Sequence, residues 1–145
     1  MDAPIEFFNQ LVRAEILLFE TMDERMKTEH GVTVGTVNVL SLLAAVEHPR
    51  VDDLVRALDL RVGTASKIVD RYVEAGWIER TANPHDRRSS WLVVTPAGRE
   101  LLAAARPAFD AGVRELASGL STAEQATLQK LLGKLAASIE ASQPS

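Results

Sequence analysis

Apolar residues along the chain recur first at helical spacing and then, briefly, at strand spacing. Over residues 4–28, Phe8, Leu11, Val12, Phe19, Met22 and Met26 fall at three- and four-residue steps, and Pro4 suits a first helical turn. Gly31 marks the end of that helix. Thr33 is placed to cap a second helix running to Val46, which His48-Pro49 breaks. Val51 or Asp52 opens a short third helix carrying Leu54, Val55 and Leu58. After a brief turn over 59–62, a fourth helix spans 63–75 and closes at Gly76. The period then changes. Residues 77–80 and 91–94 are short β-prone runs flanking a polar loop, which predicts an antiparallel hairpin. Thr95-Pro96 starts a fifth helix running to Leu116, with a kink expected at Pro107. Ser121 and Glu124 have capping-box spacing for a sixth helix that carries Leu128, Leu131, Leu132, Leu135 and Ile139. The predicted order is α-α-α-α-β-β-α-α, mainly α with one small β-hairpin.

Composition narrows the class. A chain of 145 residues makes one domain, large enough to fold without disulfides or metal. It has no cysteine, which excludes a thiolate metal site and thiol-based redox sensing. With 46% hydrophobic and 25% charged residues the balance is that of an ordinary globular protein. The longest charge-free stretch, 30–46, contains Thr33, Thr36, Asn38 and Ser41 and is too polar and short for a membrane span. Asp2 and Glu6 near the N-terminus do not fit a secretory signal, so the expected location is the cytoplasm.

Charge changes the picture further. The net charge is -4, but residues 1–49 carry -5, residues 50–99 carry +2 and residues 100–145 carry -1. Because charges are screened beyond about 8–10 Å at physiological salt, a basic centre in an acidic chain can still meet nucleic acid. That centre contains two short helices, a tight turn and the hairpin, the order of a winged helix-turn-helix. In the second short helix, Ala65, Ile68, Val69, Tyr72 and Val73 form an inward stripe. Thr64, Lys67 and Arg71 share another face. Small residues at Val62, Gly63, Thr64, Ala65 and Ser66 permit close approach to a groove, and Lys67 supplies a donor. The same face would also suit a solvated surface helix. The hairpin loop holds His85, Asp86, Arg87, Arg88 and Ser89, and an arginine on such a projection can enter a narrow minor groove. Asp86 is placed to pair with one of the two arginines and stiffen the loop.

The stretch VDRYVEAGWIERTANPHDRRSSWLVVTPAG, residues 69–98, resembles the signature of the MarR-type winged-helix transcriptional regulators. The matching parts are Asp70-Arg71, Ala75-Gly76, Glu79-Arg80, Asn83-Pro84, Asp86-Arg87-Arg88, Leu92 through Thr95, and Gly98. The resemblance covers nearly the whole chain. It implies a single domain over residues 1–145, with a DNA-binding lobe at about 33–95 and dimerisation helices at about 4–30 and 96–141. It further implies a homodimer on a pseudo-palindromic double-stranded DNA operator, sequence-specific and repressing, released by a small aromatic or phenolic effector. Arg88 takes the position of the family's wing arginine and Asp86 that of its acidic partner. The peroxide-sensing branch uses an N-terminal-helix cysteine, which this chain lacks.

The site expected from these readings comprises Val62, Gly63, Thr64, Ser66, Lys67 and Arg71 on the recognition helix, with His85, Asp86, Arg87, Arg88 and Ser89 in the wing. Effector contacts are not identifiable. Arg13 and Asn38 are candidate anion partners, and Phe19 and Trp91 suit core packing better than an aromatic pocket. Neither catalytic motif nor cofactor or metal site is expected. His30, His48 and His85 all lie in predicted turns. Two rival readings stay open: a winged-helix module binding protein, and a metal-responsive regulator using Glu24, Glu29 and His30.

Overall fold

The computed structural model describes residues 2–144. The element order is α1 (Ala3–His30), α2 (Val34–Ala45), α3 (Val51–Leu58), α4 (Val62–Glu74), β1 (Ile78–Thr81), β2 (Trp91–Val94), α5 (Pro96–Leu116) and α6 (Thr122–Ser142). Two structural units divide the chain, one ending at Asp110 and the other beginning at Ala111. The order of elements matches the expected one, and the boundaries differ by a few residues.

The caps follow from local chemistry. Gly31 ends α1 with φ 66°, a left-handed conformation that costs glycine little. The Thr33 side chain accepts the Thr36 amide at 3.1 Å and starts α2. Asp23 of α1 adds a second acceptor there, taking the Val34 amide at 3.0 Å, while Lys27 sits 2.8 Å from its other oxygen. The Lys27 hydrogen bond, then the Val34 amide, hold the Asp23 carboxyl below the usual aspartate range. Trp77 belongs to the turn before β1 rather than to the strand. Its amide donates to the Tyr72 carbonyl and so is withdrawn from the ladder, although its own carbonyl still accepts the Thr95 amide from the opposite strand end. The α5 helix runs through Pro107 without ending.

In the first unit, Val39, Leu40 and Leu43 of α2 meet Leu54 of α3, Ala65, Val69 and Tyr72 of α4, Ile78 of β1, and Leu92 and Val94 of β2. The strands are antiparallel, with Ile78 opposite Val94 and Thr81 opposite Trp91. Removing this apolar surface from water is what fixes α3, α4 and the hairpin on α2, at about 25 cal/mol per Å² buried. One polar pair lies inside it: the Tyr72 and Thr36 hydroxyls are 3.0 Å apart.

Outside that core the apolar pattern is not satisfied. Of the α1 stripe only Met22 and Met26 are buried, whereas Phe8 is 61% exposed and Phe19 49%. Core packing, the role expected of Phe19, is therefore not what this chain alone provides. In the second unit, α6 begins at a reciprocal Ser121–Glu124 capping box but buries none of its residues; Leu131 is 52% exposed.

Candidate nucleic-acid interface

The α3 and α4 helices are joined by a turn in which Asp59 adopts φ 52°, a conformation more accessible to Asp than to most residues. The Leu60 amide, donating to the Val55 carbonyl at 3.1 Å, tightens it. From there α4 starts at Val62, one residue earlier than expected, with Arg61 at its N-cap and no side-chain cap. Ala65, Val69 and Tyr72 anchor its inner face; Ile68 and Val73 are half-buried. Val62, Gly63, Thr64, Lys67 and Arg71 are exposed together on its outer side, while Ser66 is half-buried.

The hairpin is fixed to α4 from two sides. Arg80 of β1 donates to the Asp70 carboxylate of α4 through Nη2 at 2.5 Å. At its far end, Thr95 Oγ1 donates to the Gly76 carbonyl, and the Thr95 amide to that of Trp77. Within the loop, the buried Asn83 side chain accepts the His85 amide at 2.9 Å, and Asp86 accepts the Arg88 amide at 2.9 Å. The expectation that Asp86 pairs with an arginine is thus corrected. The carboxylate holds the Arg88 backbone, because two residues of separation suit an Asx turn and not a side-chain ion pair. Among the described residues no ion pair joins Asp86 to Arg87 or Arg88, and both arginines are exposed.

A groove of about 370 Å³ runs between these parts, lined by Val51 and Asp52 of α3, Val62 and Ser66 of α4, Arg80 of β1, Arg88 to Ser90 of the loop, and Leu92. It brings Ser66 together with Arg88 and Ser89, over twenty residues later in sequence. Sequence reasoning used Arg80 only as part of a motif and did not single out Arg61. Arg80 is placed by its bond from β1 to Asp70 of α4 and Arg61 by the turn that starts α4, and the only sequence signal for either was adjacency to expected site residues. Arg13 and Asn38 are exposed, on α1 and α2. Glu24, Glu29 and His30 form no group of three metal-capable side chains, and none exists among the described residues. His30 closes α1 instead of lying in a turn. Among the described residues no helix is long and apolar enough to cross a membrane.

Residues 30–89 match the model of the MarR family. The chain is 30% identical over 120 residues to the transcriptional repressor MprA of Escherichia coli K12, covering 81% of this chain and 68% of that one. It is 25% identical over 142 residues to the multiple antibiotic resistance protein MarR of the same strain, covering 93% and 99%. Among solved structures, Sco3205, a MarR family regulator from Streptomyces coelicolor in complex with DNA, superposes with a TM-score of 0.88. That match has 23% identity and covers 100% and 95% of the two chains, a likeness of fold. The winged helix-turn-helix geometry and these matches agree: the chain belongs to the MarR family of transcriptional regulators.

Proposed function

We propose that the protein is a cytoplasmic, homodimeric repressor that binds a pseudo-palindromic double-stranded operator and is released by a small, aromatic or phenolic effector. The observation that carries the DNA-binding part is the juxtaposition of Val62 and Ser66 of α4 with Arg88 and Ser89 of the loop across one groove. In this reading Val62 and Gly63 permit close approach, Thr64, Ser66 and Lys67 read the bases, and Arg71 contacts phosphate or supports the helix. Arg87 and Arg88, flanked by His85, Asp86 and Ser89, reach a minor groove. The α4 N-terminus, free of a side-chain cap, offers its dipole to a phosphate. A second copy would cover the exposed apolar residues of α1, such as Phe8 and Leu17, and those of α6, such as Leu131 and Ile139, which nothing in their own units buries. Dimerisation also supplies the two reading heads that a palindrome needs. On this reading residues 33–95 form the DNA-binding lobe, and 4–30 with 96–141 the dimerisation helices.

The test is a titration of purified protein against the DNA flanking its own gene at two salt concentrations. A complex that resists random competitor DNA and weakens steeply with salt is expected. Arg88→Ala should weaken it by about 1–3 kcal/mol. Lys67→Ala should alter discrimination between operators; equal loss on every sequence would make it a phosphate contact. A salt-insensitive protein partner, with no DNA complex in a selection from random sequences, would overturn the proposal.

A further inference from the structure

The turn between α2 and α3 has an unusual backbone. His48 has φ 51° and immediately precedes Pro49. A left-handed conformation is uncommon for a residue with a side chain, and a following proline favours extended conformations instead. Such geometry persists where surrounding contacts over-determine it. Two contacts do so here. The His48 ring stacks on the indole of Trp91, with centroids 4.0 Å apart and planes 24° apart. The next carbonyl, that of Pro49, accepts the Leu92 amide at 2.7 Å. The α2–α3 turn thus grips the first two residues of β2, where the hairpin loop returns to the sheet. From within that loop, His85 approaches the same indole, at 6.5 Å and 57°.

We propose that the His48–Trp91 stack, joined by His85, is a proton-sensitive tether that fixes the root of the β1–β2 loop and so sets the presentation of Arg87 and Arg88. Histidine is the side chain whose ordinary titration lies between pH 5 and 8. Proton uptake turns the stack into a cation–π contact, worth about two- to five-fold in an equilibrium at an exposed site. The His48 side chain is 56% exposed, so the outer side of the ring faces water. The charged groups around the pair come from several elements. Glu47, in the same connection, has a carboxylate oxygen 3.7 Å from His48 Nε2. Arg99 of α5 lines the same small cleft as His48 and Trp91. The loop contributes Asp86, Arg87 and Arg88 beside His85, whereas β2 contributes no charge and the α2 end only Leu43, Ala44 and Val46. A tighter tether and added positive charge at the loop root both favour a phosphate backbone at lower pH.

The functional half of this inference rests on the wing contacting DNA, so its test reads the tether with and without DNA. With Trp77→Phe in the background, Trp91 is the sole fluorophore of its kind. Its emission is expected to depend on pH, and His48→Asn, which tolerates the left-handed backbone but carries no ring, is expected to flatten that dependence. The same variant should speed amide exchange of Leu92, measured by NMR at one fixed pH. Operator affinity at constant salt should rise about three-fold from pH 8 to pH 6 in the wild type, and less in His48→Asn and in His85→Asn. An emission that does not titrate, or unchanged Leu92 exchange in His48→Asn, overturns the tether. Unchanged affinity and pH profile in His48→Asn, in a protein that does bind DNA, overturns its positioning role. A titrating Trp91 and slower wild-type Leu92 exchange, in a protein that binds no DNA, upholds the tether and refutes the DNA-binding proposal instead.

Discussion

Gly98 stands in the first turn of α5, where that helix passes closest to the turn ending α4. A Cβ there would fall inside van der Waals contact of the Trp77 carbonyl oxygen, 2.9 Å from Val94 Cγ1 and 3.0 Å from the Trp77 carbonyl carbon. The obstacle is backbone and cannot swing aside. It is also held in place, because the Trp77 carbonyl accepts the Thr95 amide at 2.9 Å. The Gly98 amide itself donates to Thr95 Oγ1 at 3.1 Å, so moving the helix away would strain the cap as well. Overpacking costs about 1–3 kcal/mol, and a lost threonine cap about 1 kcal/mol. Gly98→Ala should therefore destabilise the protein by about 3 kcal/mol, taking the upper end because the contact is with main chain. At this chain length that lowers Tm by about 6–12 °C. Gly63 is the control, with open space around a Cβ and no positive φ; Gly63→Ala should stabilise by about 0.5 kcal/mol. Urea unfolding followed by circular dichroism, at one protein concentration for all three proteins, measures both. A Gly98→Ala protein within 1 kcal/mol of wild type would refute the close-approach reasoning.

Three further outcomes are expected. Tyr72→Phe should cost about 1 kcal/mol by urea unfolding, since Thr36 retains the Thr33 hydroxyl at 2.9 Å. Adding Thr36→Val removes that remaining hydroxyl contact and should cost about 1 kcal/mol more, and no further loss would show that the Thr33 contact does not hold Thr36. Asp23 has its carboxyl held low by Lys27 and the Val34 amide, so its contribution is complete above the unfolded-state value near pH 4 and is lost as pH falls through the folded one. Wild type should therefore lose stability below about pH 4 more steeply than Asp23→Asn, and parallel pH curves would contradict this. Leu131→Glu, placing a charge on the exposed apolar face of α6, should shift sedimentation from dimer to monomer without unfolding α2, α3 or α4. An unchanged sedimentation coefficient would remove α6 from the proposed dimer interface.

The loop chemistry shows where sequence reasoning reached and where it stopped. Asn83, Asp86 and the two arginines were legible as a projecting polar loop, because short polar side chains bond to their own backbone over two residues. Which atoms Asp86 would hold was not, since that depends on where the chain directs the guanidinium groups. Likewise His48 reads as a solvated turn residue when its neighbours in sequence are the only ones considered. Its partner, Trp91, is brought to it by a hairpin that closes over forty residues later.

The sequence by itself determined the elements and, to within a few residues, their ends. Helical and strand periods, Gly31, Thr33, the Thr95-Pro96 step and the Ser121–Glu124 box are local signals, each written within a few residues and set by backbone sterics and capping bonds. It also marked the α4 face and the loop arginines as chemistry without a structural need. Only the tertiary structure decided which of these meet. The Arg80–Asp70 pair, the groove joining Ser66 to Arg88, the Thr95–Gly76 and Gly98–Trp77 approach and the His48–Trp91 stack all join residues distant in the chain. Such contacts form only after α2, α3, α4 and the hairpin have buried a common core, and burial is a property of the assembled surface that no local window contains.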